Sequence, residues 1–364
     1  MKKVVFIFFV WLVSIFIINK ISASIIPDRT SYELPYKVPF TFSLAPLLNM
    51  DGRHYLDIAC KGYFAKGGFD LRVFFPVYPL LIKALSFNCS INPVFIGPAV
   101  SLGSLLGLLY MLTRLVEKKM ILKTVLLLLF FPTAFFFTAY YTESLFLLLT
   151  LIFFWFLRKK NYLAAAAFAA LASGTRLLGI ALLPVFLYEV FKESKKSRKL
   201  RLDFLLAPMG LVLFSFYNWI STGNPLTFLT NQTYWNRPLG ITAPIFGLYK
   251  QITNILAGPV ASYDSPFVYP MILVEFVMLV FMLAILYLSY KKIKMLYWIY
   301  MFASLVIILF AGPSSFPRYA LVLFPAYIFL AERLKGVKYG VYLVCSFVLF
   351  VFMASLFLRG YWAS

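Results

Sequence analysis

The stretch Val4-Val-Phe-Ile-Phe-Phe-Val-Trp-Leu-Val-Ser-Ile-Phe-Ile-Ile18 decides the fold class. It carries no charge and follows Met1-Lys-Lys3, the arrangement of a signal peptide or a signal anchor. Ser22-Ala-Ser24 is small enough to resemble a cleavage site. The residues as far as Ser22 extend the run to the length of a span, which favours an uncleaved first helix. The rest of the chain repeats this character. Its 364 residues are 62% hydrophobic and 13% charged, with 41 Phe and 24 Tyr. A soluble domain carries about 25% charge. The composition excludes a disordered chain and argues against a water-soluble enzyme.

Apolar segments recur near 91–116, 121–139, 143–157, 162–175, 177–191, 202–220, 267–290, 295–311, 319–332 and 339–358. With the first, they predict an all-α polytopic membrane protein, a bundle of about eleven transmembrane helices. The segments at 143–157, 162–175 and 177–191 are short for a crossing, which takes roughly 20 residues. The whole chain, 1–364, reads as one integral membrane domain. Two polar stretches interrupt it: a long first loop over 23–90, predicted to carry interfacial helices, and a second loop over 221–266.

The formal charge is +21, from 34 Lys and Arg against 13 Asp and Glu. Placing the N-terminus in the cytoplasm puts most of these cations inside: Lys2, Lys3, Arg114, Lys118, Lys119, Lys123, Arg158 to Lys160, Lys192 to Arg201, Lys291 to Lys294 and Arg333 to Lys338. They lie in or beside short loops, where positive charge sets orientation. The excess therefore reports topology and calls for no nucleic-acid partner. Both long loops, and the sequons at Asn88 and Asn231, then lie outside. The three cysteines include no C-x-x-C; the odd count and the apolar setting of Cys345 argue against a disulfide framework, while Cys60 and Cys89 share the outer side, where a pair could form.

Acids are scarce, so their positions are informative. Asp28, Glu33, Asp51, Asp57, Asp70, Glu143, Asp264 and Glu275 fall on the outer side. None stands in the middle of a clear span, Glu275 coming closest, which counts against an ion-driven transporter. The densest polar cluster is Asn49-Met-Asp-Gly-Arg-His-Tyr55 and its continuation to Tyr63. A helix starting near Asp51 gives Asp57 cations at Arg53 and Lys61, four residues either way. Asp51 has His54 and Tyr55 at +3 and +4 and no cation at helical spacing, so it is either a helix cap or a catalytic acid. Phe74-Phe-Pro-Val-Tyr-Pro79 follows, with two prolines that break regular helix; it is an interfacial anchor or a wall beside Asp51. Arg176, in Gly174-Thr-Arg176, and Arg318, in Phe316-Pro-Arg318, either snorkel to headgroups or bind a phosphate. Glu143 either pairs with one of them or caps the next helix. A metal is not demanded, because no acidic pair has clear ligand spacing.

These residues resemble a family. Asp51 with Tyr55, Ile58-Ala59, Gly62-Tyr63 and Phe74-Phe-Pro-Val-Tyr78-Pro79 is similar to the first-loop motif of the GPI mannosyltransferase 2 (PIG-V-type) family. Pro132 and Tyr140-Tyr-Thr-Glu-Ser-Leu-Phe146, then Thr175-Arg176 with Gly179, then Arg318-Tyr319 before Leu323-Phe-Pro325, resemble its later motifs in order, over about 45–335. Members carry Trp before the aspartate, where this chain has Met50. The resemblance implies a GT-C glycosyltransferase that takes a sugar, mannose in the family, from a polyprenyl phosphate at the outer or lumenal face. It implies Asp51 as the general base for inverting transfer to a glycolipid or glycan acceptor, with no cofactor. His54, Tyr55, Tyr78, Glu143, Arg176 and Arg318 are then the expected donor-phosphate or substrate contacts. The alternatives are another GT-C enzyme, of the protein O-mannosyltransferase or aminoarabinose transferase type, and a lipid-linked sugar flippase.

Overall fold

The computed structural model describes residues 1–29, 45–63, 70–197, 201–235, 242–260, 265–310 and 314–363. Glu33, Asp264, Arg198 and Lys199, and the loop stretches 30–44, 64–69, 236–241 and 261–264, lie outside the described residues. The described residues form helices and turns, with no β-strand among them. In chain order the helices are α1 (Lys2–Ile25), α2 (Asp51–Lys61), α3 (Val77–Leu85), α4 (Pro93–Leu115), α5 (Ile121–Leu129), α6 (Glu143–Arg158), α7 (Tyr162–Ser173) and α8 (Leu182–Ser197). There follow α9 (Met209–Thr222), α10 (Thr227–Thr230), α11 (Ala243–Ala257), α12 (Val268–Ser289), α13 (Met295–Phe310), α14 (Phe316–Ala320), α15 (Phe324–Arg333) and α16 (Gly336–Leu358).

Four of these, α1, α4, α12 and α16, are long and apolar enough to cross a bilayer; α7 and α13 are shorter apolar helices. Together they mark a membrane protein. In α1 the buried residues Val4, Phe8, Trp11, Ile15, Ile18 and Ser22 follow one another at three- and four-residue steps, a single helical face. Trp11 meets Phe350 of α16 at 6.1 Å between ring centroids. Phe6, Phe9, Val13, Ile17 and Ile21 stand exposed on the other side. An apolar surface of that extent is one that lipid solvates and water does not. At α4 the start is set locally: Pro93 opens the helix and the Asn92 side chain accepts the Val94 N–H at 3.1 Å.

Several of the expected spans are broken; the one over 202–220 divides into a 3₁₀ turn at Asp203–Leu206 and α9. The segment over 121–139 is α-helical only to Leu129, with a single 3₁₀ turn at Ala134–Phe137 beyond it, and the segment over 319–332 splits into α14 and α15 around Leu321–Leu323. In these last two, proline is the cause. Pro132 has no N–H to continue α5, and Pro325 opens α15 at its first turn. At nine and ten residues, α5 and α15 are each too short to cross alone. The expectation that Pro76 and Pro79 disrupt helix is also corrected. α3 begins immediately after Pro76, and Pro79 falls in its first turn, where a missing N–H does no harm.

The chain from Phe131 to Thr142 is irregular and buried at every residue. Its polar backbone is satisfied inside the protein, as a water-free surrounding requires. Thr138 N–H donates to Phe135 O at 3.0 Å and Tyr140 N–H to Leu47 O at 2.9 Å. Ser101 and Ser144 hydroxyls donate to the carbonyls of Ala139 and Phe137, both at 2.8 Å. Gly97 of α4 makes room for this segment: a Cβ there would stand 2.0 Å from the Tyr140 ring. Close approach recurs where α7 meets α9, since a Cβ on Gly210 would stand 2.0 Å from Ala170 O. Outside this interior, Cys60 at the end of α2 and Cys89 beyond α3 form a disulfide, the pair that could form on the outer side.

Candidate active site

Asp51 is the first residue of α2, and Met50 before it stands at φ +57°, a region that side-chain-bearing residues seldom adopt. Tyr141 holds this turn. Its hydroxyl donates to Asn49 O at 2.9 Å and accepts from Asp51 N–H at 3.0 Å. The Asn49 amide donates to Phe357 O at 2.7 Å, which anchors the same turn to the end of α16. The Asp51 carboxylate reaches across the molecule to Arg318 Nη1 at 2.6 Å, a partner 267 residues away.

Arg318 does more than meet Asp51. Its Nε donates to Glu143 Oε1 at 2.5 Å, and Arg176 Nη1 donates to the same oxygen at 2.5 Å. Two carboxylates and two guanidiniums thus form one chain, Asp51–Arg318–Glu143–Arg176, with no net charge. Its side chains are 26%, 11%, 0% and 8% exposed in that order, so Asp51 is the open end. The guanidinium carbon of Arg318 lies 4.6 Å from the Tyr141 ring centre, and that of Arg176 lies 5.2 Å from the Tyr319 ring centre. Such stacking orients a cation without consuming its N–H donors. The other Glu143 oxygen is buried with no hydrogen-bond partner among the described residues.

The network forms part of the wall of a cleft of about 110 Å³. Asp51, Tyr55, Phe74 and Phe75 line one side, Thr175, Arg176, Arg318 and Tyr319 another. Phe228 and Gln232 of the second loop also line it. Next to the cleft runs an apolar groove of about 850 Å³ between α3, α7 and α9, with Leu80, Leu171, Leu213 and Phe214 in its walls. The two spaces are neighbours: Phe75 lines the cleft and packs on Phe214 of the groove at 5.1 Å between centroids. Gly174 lines the groove while the next two residues line the cleft.

The structure therefore brings Asp51, Tyr55, Glu143, Arg176 and Arg318 together. Tyr55 is buried and its ring meets Phe74 and Tyr141. Burial raises its phenol well above the ordinary range, against the pull of Arg318 and Arg176, so it stays a neutral hydroxyl. Two expected contacts stand elsewhere. Tyr78 is fully buried behind Tyr55, with its hydroxyl on Gly97 O at 3.1 Å and Ser101 Oγ at 2.9 Å, so it supports the site and does not face it. His54 does not line the cleft; its ring lies 5.2 Å from that of Phe74. Burial lowers its pKa below 6.5, more than Asp51 and Asp57 raise it. Asp57 pairs with Lys61 at 2.6 Å and Arg53 at 3.8 Å, as the four-residue spacing predicts.

Tyr141, Tyr319 and Gln232 belong to the site or its support and were not singled out by sequence. Tyr141 and Tyr319 were visible as neighbours of Glu143 and Arg318, whereas nothing local marks Gln232. Among the described residues no cluster of three or more metal-ligating side chains occurs. No family model, curated protein or solved structure matches the chain.

Proposed function

We propose that the protein is an inverting glycosyltransferase of the GT-C type. It moves a hexose, mannose by the resemblance, from a polyprenyl phosphate to a hydroxyl of a glycolipid or lipid-linked acceptor. The observation that carries this reading is the pairing of Asp51, the more accessible acid of the network, with Arg318 at a cleft that neighbours an apolar groove. An amphiphile with a phosphate head and an isoprenoid tail matches that division. The groove falls within the ordinary range for ligand sites, roughly 300–1,000 Å³.

The chemistry follows from the ion pair. Arg318 neutralises Asp51 through their ion pair. A phosphate entering the cleft competes for the same guanidinium, whose planar fork suits phosphate oxygens. Arg176, one step further along the network, adds a second cation. A carboxylate relieved of its guanidinium is a better proton acceptor. Asp51 then takes the proton of the acceptor hydroxyl as its oxygen attacks the anomeric carbon. The bond from that carbon to the phosphate oxygen breaks on the opposite face, and the arginines stabilise the departing polyprenyl phosphate. Glu143 keeps both arginines aimed into the cleft.

The same reading places about eleven crossings in the bilayer, those at 121–139 and 319–332 as interrupted helices, with the N-terminus in the cytoplasm and the cleft at the outer or lumenal face. The Cys60–Cys89 disulfide supports that side, because disulfides persist in oxidising compartments. The test is incubation of purified protein in detergent with radiolabelled polyprenyl phosphate mannose and candidate acceptors. Wild type is expected to transfer label, and Asp51→Asn to lose about 10²–10⁴-fold while remaining inserted. Near-wild-type transfer by Asp51→Asn sinks the assignment. Movement of the lipid across liposomes without transfer would instead establish the flippase.

A further inference from the structure

Glu275 takes no part in the chemistry above, yet it is a buried carboxylate two turns inside α12, a helix of spanning length. A carboxylate is kept in such a place only when its oxygens are used. Oε1 accepts the backbone N–H of Ser315, and Oε2 accepts Gln251 Nε2 at 3.5 Å. Ser315 is the residue before α14 and stands at φ +64°, in the left-handed region. Its carbonyl accepts the N–H groups of Arg318 at 3.1 Å and Tyr319 at 3.3 Å. Glu275 therefore grips the first peptide of the turn that presents Arg318. Thr133 holds the same turn, its hydroxyl donating to Pro317 O at 2.9 Å.

Gln251 belongs to α11, in the second loop. One face of α11 packs inward through Ala243, Gly247 and Gln251, while Ile245, Tyr249 and Leu256 point away from the protein. One carboxylate thus ties an outer-loop helix to the turn that aims the arginine.

We propose that Glu275 is a positioning residue for Arg318: by fixing Ser315 it sets the guanidinium against Asp51, and through Gln251 it makes the seat of α11 part of that setting. The consequence for donor use rests on the reading of Arg318 as the phosphate-binding group; the coupling of α11, Glu275 and the Arg318 turn does not.

The experiment has two arms. In transfer assays with polyprenyl phosphate mannose, Glu275→Leu is expected to raise the donor KM on the order of tenfold and leave the acceptor KM unchanged. Glu275→Gln, which keeps an oxygen for the Ser315 N–H, is expected to stay within about threefold of wild type. Gln251→Leu, which leaves the Ser315 bond intact, should shift the donor KM in the same direction by about two- to threefold. In hydrogen exchange, Glu275→Leu is expected to speed exchange at Arg318 and Tyr319 as well as Ser315, on the order of tenfold. The second arm needs no substrate. Wild-type protein that transfers no sugar defeats the proposed function and leaves the coupling to be judged by exchange. Faster exchange at Ser315 alone overturns the proposal. So does a folded Glu275→Leu with an unchanged donor KM, or one in which both KM values rise together with a lowered Tm. Should Glu275→Leu fail to fold, a Gln251→Leu protein whose donor KM and Arg318 exchange both equal wild type overturns it.

Discussion

The rim of the molecule and its interior are built by opposite means. At the rim α1, α12 and α16 are long and continuous, and each leaves much of its apolar surface uncovered. In the interior the chain is broken: α5 stops at Leu129, Phe131 to Thr142 runs as turns around one 3₁₀ turn at Ala134–Phe137, and α14 is five residues long. A regular helix satisfies its own backbone and tolerates lipid; an irregular segment must find partners within the protein. The charged network sits on the irregular part. Glu143 begins α6 as the turns end, Arg176 lies between α7 and the 3₁₀ turn at Leu177, and Arg318 lies on α14. Breaks in helices free the geometry that a site needs, and the long helices supply the wall behind which such breaks survive.

Substitutions can break that comparison. Glu143→Ala should have the largest effect on the fold. It leaves two buried guanidiniums without their shared carboxylate, and loss of one member of a buried pair costs about 3–5 kcal/mol. Unfolding in detergent against wild type measures it; a loss below about 1 kcal/mol would mean the network is not closed as described. Gly97→Ala should come next, at about 1–3 kcal/mol, because the added methyl collides with the Tyr140 ring and the packed interior has nowhere to move it. The transition midpoint reports it, with a drop in transfer expected since Tyr141 and the Asp51 turn follow Tyr140.

A smaller effect is expected from pH. His54 has a folded-state pKa below its unfolded value of 6.5, so the unfolded chain binds the proton more readily. Its contribution to stability is present above that value and fades as pH falls below 6.5. His54→Gln should therefore lose less stability than wild type between neutral pH and mild acid. Parallel curves would remove His54 from the account. The smallest effect belongs to the rim: Val344→Ala on the exposed face of α16 should stay within about 0.5 kcal/mol. A large loss there would show that this face is covered by protein.

The same contrast explains what the sequence disclosed. α4, α12 and α16 match their apolar runs closely, because a continuous run in lipid has few alternatives to helix. The run at 121–139 misled because hydropathy records burial and cannot distinguish lipid from protein as the covering. Pro132 carried the missing information, outweighed by the phenylalanines around it. The site acids stood out by scarcity and the arginines by their place beside apolar segments: a charge in an apolar chain needs a reason. Their pairing did not, since Asp51 and Arg318 obey no local spacing. Glu275 was noted only as the acid closest to the middle of a span, and Gln251 and Ser315, which give it meaning, look ordinary in sequence.

The distance along the chain between Asp51 and Arg318 also sets an order in time. A ribosome adds about 5–20 residues per second. The 267 residues between these partners therefore take roughly a quarter of a minute to a minute to make. For that interval the nascent chain carries the acid, and later Glu143 and Arg176, before the cation that joins them exists. The last link is added only when Arg318 is made, so a product terminated before it lacks the cation that joins Asp51 to Glu143.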